Sequence, residues 1–166
     1  MTLFWVQSRS LRLGTMPRPR GLDWLADDIK SLRQAGVDVT VSALTPMESE
    51  ELGLTQESTL CGQNEIDFVS FPIEDRSVPA SVAEFDALLS QLQGHASRGR
   101  SVAVHCRMGI GRASLIAAGL LTRHGLCAAE AFQAIEQARG VYVPDTLEQR
   151  AWIERFAKRF ENPSQM

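Results

Sequence analysis

Three cysteines in 166 residues, an odd number with no CxxC spacing, argue against a disulfide framework or a zinc site built on thiolates. Cys61, Cys106 and Cys127 are expected to be free thiols in a reducing compartment. The histidines at 95, 105 and 124 are equally sparse and lack ligand spacing, so no metal and no cofactor is expected. No apolar run approaches the ~18 residues of a membrane span. The longest one near the start, LFWV, is too short for a secretory core. A cytoplasmic protein with no membrane attachment is the expectation. Nor is there an excess of positive charge: the formal net charge of −3 speaks against nucleic acid as a partner. Repeats and low-complexity linkers are missing too, which leaves a single domain over residues 1–166.

The remaining composition, 44% apolar and 22% charged, is that of an ordinary globular chain. LFWVQ and LRLGTM read as a hairpin around QSRS, followed by a stiff MPRPRG loop. Leu22, Leu25, Ile29 and Leu32 share one face of a helix spaced over 22–34. VDVTVSAL is a strand, TPMESEELGL a loop with a short helix ended by Gly53, and IDFVSFPI a strand ended by Pro72. A helix over about 79–95 starts either with Pro79 or with Ser81 and Glu84 as a capping box. SVAVHC is the most apolar strand, as a central parallel one should be. Helices over about 109–124, 128–139 and 146–160 complete an α/β fold, a mainly parallel central sheet flanked by helices. Four arginines between Arg9 and Arg20 form the one basic cluster, a candidate anion site.

Chemistry concentrates in HCRMGIGRAS, residues 105–114. A tight turn around an inert buried cysteine would need none of it. A dinucleotide fingerprint through Gly109, Gly111 and Ser114 fails, because the segment after the helix is helical again and supplies no strand with an acidic end. The third reading is an anion cradle. Gly109 and Gly111 let successive N–H groups of the 107–111 turn face inward, and the helix N-terminus adds its positive end. Arg112 can grip two phosphate oxygens with its planar fork. Cys106 at the floor of that ring would be favoured as thiolate, the form that attacks phosphorus. His105 would hold the loop through a hydrogen bond or simply pack.

HCRMGIGRAS resembles the HCxxGxxR signature of the cysteine-dependent protein tyrosine and dual-specificity phosphatases. FPIEDRSVP is similar to the segment that carries the general acid in the small dual-specificity members, with Asp75 lying 31 positions before Cys106. Glu74 is the weaker candidate. LRLGTMPRPRGLDWLADDIKSLRQAGVDVTVSAL resembles the N-terminal half of the compact atypical group that includes kinase-associated phosphatases. The resemblance implies a protein tyrosine phosphatase-like fold and a metal-independent hydrolase acting through a phosphocysteine. Cys106, Arg112 and Asp75 would be catalytic, and Arg107, Met108, Gly109, Ile110 and Gly111 would bind substrate. It further implies phosphate or vanadate as active-site ligands and a phosphoprotein as partner, carrying phosphotyrosine and also phosphoserine or phosphothreonine. Arg107, Met108 and Ile110 give the loop one charge and two apolar walls, where inositide-directed relatives tend to carry lysines.

Two positions depart from the pattern. Ala113 stands where the family has the Ser or Thr whose hydroxyl stabilises the departing sulfur. The glutamine that orients water in larger tyrosine phosphatases has no clear counterpart. Asp145 of VYVPDTLEQ would occupy its place, while Gln149 reads as the partner of Thr146 in a capping box. A phospho-residue binding module without turnover, and an arsenate reductase-like thiol enzyme using Cys61 or Cys127, are the alternatives.

Overall fold

A computed structural model describes residues 1–161. Five strands form one sheet in the order β1-β2-β5-β3-β4, with β1 Phe4–Val6, β2 Leu13–Pro17, β3 Val39–Ser42, β4 Asp67–Ser70 and β5 Val102–Cys106. Only β1 runs antiparallel, paired with β2 as the expected hairpin; the other neighbours are parallel. The apolar VAVHC run is central and buried along its whole length. A parallel strand covered on both faces has no polar side to show.

On one face lie α1 Leu25–Gln34 and α3 Glu57–Gln63, packed through Leu25, Ile29, Leu32 and Cys61. On the other lie α4 Val82–Ala96, α5 Arg112–Arg123, α6 Ala128–Arg139 and α7 Leu147–Glu161. Helix α5 is buried from Arg112 to Thr122, which suits a helix that is apolar all round. Phe85 of α4 packs edge-on between Trp152 and Phe156 of α7, ring centroids 4.9 and 5.0 Å away. Ser81, not Pro79, starts α4: its side chain accepts from the Glu84 N–H at 3.2 Å.

Three sequence expectations need correction. Leu22 does not belong to the buried face of α1; it is 80% exposed in a 3-10 turn, with φ 54°. Its N–H donates to the Gly53 carbonyl, which pins the turn to the loop after α2 (Pro46–Glu51) and lets the helix begin only at Leu25. Helix α3 escaped notice altogether, because ESTLCGQ is short and carries no apolar period. The arginine cluster is no single patch. Arg12 precedes β2 and covers the Trp5 ring, whereas Arg18 and Arg20 follow it, and Arg20 pairs with Asp28 at 2.6 Å. Five strand residues separate these ends by roughly 17 Å.

Candidate active site

The carboxyl ends of β2, β3 and β5 meet where the parallel sheet hands its chain to helices. Pro17 is in register with Cys106, and Ser42 with His105. Residues 107–111 turn from β5 into α5, whose first residue is Arg112. Gly109 has φ 72°, and a Cβ there would overlap the Met16 carbonyl, so the loop lies directly on β2 and only glycine fits. Arg139 of α6 ties the outer side of the turn by donating to the carbonyls of Met108 at 2.7 Å and Gly109 at 3.3 Å. Its guanidinium rests on the Phe4 ring, 4.2 Å from the centroid.

Cys106 is buried, at 3% exposure. Arg112 is buried as well, and its fork faces three groups from two other elements. Nη1 donates to Glu48 Oε2 at 2.7 Å and to the Ile73 carbonyl at 2.8 Å; Nη2 donates to Glu48 Oε1 at 3.0 Å and lies 3.1 Å from Asp75 Oδ1. Burial works against the Arg112 charge, but Glu48, Cys106 and Asp75 together hold it above its usual range. Burial likewise pushes the Glu48 carboxyl up. The hydrogen bonds and charge of Arg112 and the N–H of Thr45 more than reverse this and hold it at about 2. Glu48 is therefore a carboxylate near neutral pH, holding the guanidinium through both Nη atoms.

Asp75 reaches Arg112 from the turn after β4. The Ser77 N–H donates to the Glu74 carbonyl, and Arg76 takes a left-handed φ of 58°. Such backbone in a non-glycine residue is held in place only by its surroundings. Gln149 supplies part of that hold. Its Nε2 donates to the Ser77 carbonyl at 2.9 Å, while its Oε1 accepts from Thr146 N–H and the Thr146 hydroxyl accepts from Gln149 N–H. The capping box at the start of α7 is thus present, and the same glutamine braces the Asp75 turn. Asp145, just before it, is exposed and packs so closely on Gly111 that a Cβ there would collide with its carboxylate.

The loop side chains divide. Met108 stands in solvent at 61% exposure, whereas Ile110 is half-buried and packs on the core, so only one of the two expected apolar walls is free. Arg107 lies 3.5 Å from Glu48 and 3.6 Å from Glu51. Glu74 is exposed. Cys61 sits in the apolar cluster under α1 and α3 and Cys106 in that under α4–α7. Burial pushes the Cys61 thiol up to about 12. Cys127 is exposed at the far end of α5, whose 12 residues span about 18 Å. Among the described residues no cluster of three His, Cys, Asp or Glu side chains could hold a metal, and no helix is long and apolar enough to cross a membrane.

The family described as "Dual specificity phosphatase, catalytic domain" matches residues 29–157, the loop and the Asp75 turn included. The chain belongs to that family. Its fold is that of the cysteine-dependent protein tyrosine and dual-specificity phosphatase superfamily. The mouse (Mus musculus) dual specificity protein phosphatase 2 is 29% identical over 123 residues, which cover 72% of this chain and 35% of that protein, so the chain spans well under half of that relative's length. Among solved structures, kinase associated phosphatase with its catalytic-site cysteine replaced by serine superposes with a TM-score of 0.87. It is 21% identical, and the match covers 97% of this chain and 96% of that one. A putative protein tyrosine phosphatase from Leishmania major gives a TM-score of 0.75 at 24% identity, covering 93% and 98% of the two chains.

Glu48 and Arg139 were not singled out from the sequence. The signal for Glu48 was present, since Thr45-Pro-x-Glu48 is a capping box with proline at the first helical position. For Arg139 there was none, as its contacts are to backbone atoms 30 and 31 residues away.

Proposed function

We propose that this phosphatase hydrolyses phosphate monoesters on proteins, phosphotyrosine first and phosphoserine or phosphothreonine as well, through a phosphocysteine at Cys106. The observation that carries the reading is the convergence of three elements on one point. The thiol ends β5, the guanidinium opens α5, and the carboxyl of the turn after β4 lies within 3.1 Å of that guanidinium. A phosphoryl group seated in the 107–111 turn would meet inward N–H groups and the positive end of α5. Arg112, held in plane by Glu48, would take two of its oxygens. The Cys106 thiolate attacks phosphorus, the P–O bond to the substrate breaks, and the departing oxygen takes its proton from Asp75. Water then attacks the phosphocysteine, the P–S bond breaks, and Asp75 receives a proton back. Gly109, Gly111, Met108, Arg107 and Ile110 shape the mouth, with Met108 the side chain most open to the substrate. Three unpaired thiols fit a reducing, cytoplasmic setting.

An arsenate reductase-like cycle is less well supported, because it needs a second thiol. Cys61 lies in the other core cluster as a protonated thiol, and Cys127 is a helix-length away. Arg107 faces Glu48 and Glu51, so the loop offers little free positive charge to a polyphosphorylated inositol headgroup.

The test is hydrolysis of an aryl phosphate and of a phosphotyrosyl peptide in the presence of a chelator. Activity is expected to persist with chelator and to vanish in Cys106→Ser, which should still bind vanadate. Undiminished turnover in the serine variant contradicts the reading.

A further inference from the structure

At the edge of the sheet opposite β1, strand β4 has a neighbour on one side only. The Asp67 N–H and the Phe71 N–H just past its end donate inward, to the carbonyls of Asp38 and Ser42 on the β3 side. Direction alternates along a strand, so the N–H groups of Phe68 and Ser70 face outward, with no strand beyond them. Such an edge is a template for a further extended chain. Beside it lies a groove of about 410 Å³, with Val69, Ser70 and Phe71 on one wall and Ala87 and Gln91 of α4 on the other. Through Pro72 and Ala80 this groove joins a second cavity of about 350 Å³, which Ile73 and Glu74 line. That cavity borders the catalytic groups, because the Ile73 carbonyl accepts from Arg112 and Glu74 precedes Asp75. Phe71 to Val69 thus lie two to four residues from Ile73, roughly 7–13 Å of extended chain.

We propose that the groove docks the polypeptide flanking the phosphorylated residue of the substrate. That segment adds to β4 as a sixth strand and seats one apolar side chain, two to four residues from the phosphorylated one, against Val69, Phe71 and Ala87. The inference rests on the phosphoprotein reading of the site. Continuity with the Arg112 cavity selects this occupant, since a chain anchored there by its phosphoryl group reaches the free edge without a turn. Main-chain pairing gives affinity at such an edge, and the adjoining pocket gives side-chain choice. Charge completes the specificity. Glu84 and Glu74 are the charged residues lining the two cavities, both exposed. They favour Lys or Arg beside the apolar side chain and disfavour an anionic membrane surface.

The experiment compares phosphotyrosyl peptides of one scaffold with nitrophenyl phosphate, which has no flanking chain. The peptides carry Leu or Ser two to four residues from the phosphotyrosine, on either side, with Lys or Glu next to it. For the wild type, kcat/KM should be on the order of tenfold higher with Leu than with Ser at one of these positions, and higher with Lys than with Glu. Ala87→Glu, on an exposed helix position, should abolish the Leu preference, and Glu84→Gln should weaken the Lys preference. Ser70→Pro deletes an outward N–H, a change a sheet edge tolerates, and should lower kcat/KM on all the peptides on the order of tenfold. All three variants should hydrolyse nitrophenyl phosphate at the wild-type rate, which also reports that they fold. A wild type indifferent to the flanking residues, or an Ala87→Glu variant that keeps the Leu preference, overturns the proposal. So does self-association of the wild type that Ala87→Glu abolishes, which would give the groove to a second copy of the chain. If Ser70→Pro fails to fold, Ala87→Glu decides. A wild type that hydrolyses neither peptides nor nitrophenyl phosphate strikes the phosphatase reading, whereas one that hydrolyses every peptide alike strikes this inference alone.

Discussion

The Glu48 carboxylate accepts from the Thr45 N–H and from both Nη atoms of Arg112, with Arg107 3.5 Å away. Its ionisation links this site to stability. The folded-state value is held at about 2, below the ordinary 4.5, so the carboxylate stabilises the fold fully above that ordinary value. The contribution is lost as pH falls from there toward about 2. Glu48→Gln should therefore unfold at lower urea than wild type near pH 7, by a few kcal/mol, since a buried guanidinium loses its partner. The gap should narrow as urea titrations are repeated below about pH 4.5; a gap that widens in acid would contradict this account. Ala113 bears on the chemistry itself. It is buried and offers no hydroxyl, and the Ser114 hydroxyl, also buried, has no hydrogen-bond partner, the Cys106 sulfur included. The sulfur would leave the phosphocysteine short of one hydrogen bond, a deficit of roughly 1.5–3 kcal/mol. Stopped-flow traces with activated aryl phosphates should show a burst of phenol near one equivalent per site. Ala113→Ser should shrink that burst and raise kcat. A linear trace unchanged by the substitution means that another donor serves the sulfur.

At the scale of elements, the site is assembled by what α5 and α7 present to the end of the sheet. The 107–111 turn keeps its shape because Gly109 sits on the Met16 carbonyl in left-handed backbone, a conformation costing other residues about 1–2 kcal/mol before any clash. Gly109→Ala should leave a folded protein with vanadate affinity and turnover both reduced by at least tenfold, read by vanadate inhibition and aryl phosphate kinetics. The start of α7 acts on the other catalytic arm. Gln149 bonds the Ser77 carbonyl two residues beyond Asp75, so Gln149→Ala should loosen the acid. Turnover of alkyl phosphates should fall more than that of nitrophenyl phosphate, because only a poor leaving group needs the proton in the transition state. Asp75→Asn should show the same selectivity in stronger form. Equal losses for both substrates would reduce Gln149 to a helix cap. The strand–turn–helix was legible because it is local: apolar run, glycines and cap lie within a dozen residues. Helix α3, and with it Glu57, was not, since a seven-residue polar helix is specified by packing on α1 and β4 and leaves no period in the sequence.

Across the whole molecule the same division holds. The mainly parallel sheet, the central place of VAVHC and the flanking helices follow from apolar patterning that is spread over the chain, whereas the order β1-β2-β5-β3-β4 was not read from it. The polar framework of the site does not follow from it either, because its partners are joined across 64, 48 and 37 residues: Arg112 with Glu48, His105 with Glu57, Arg112 with Asp75. The last pair was readable only through its motif. Arg9, Arg12, Arg18 and Arg20, adjacent in sequence, are parted in space by β2, which is why charge counted along the chain misled. The central claim is that the sheet, α5 and the turn after β4 bring a nucleophilic sulfur to a phosphoryl group. The direct measurement is an acid quench during turnover of an aryl phosphate, followed by mass spectrometry of the digested protein. The peptide bearing Cys106 should carry one phosphoryl group in the wild type, and more of it in Asp75→Asn during the burst with a good leaving group. An unmodified Cys106 peptide at every quench time, with product still forming, would contradict the account.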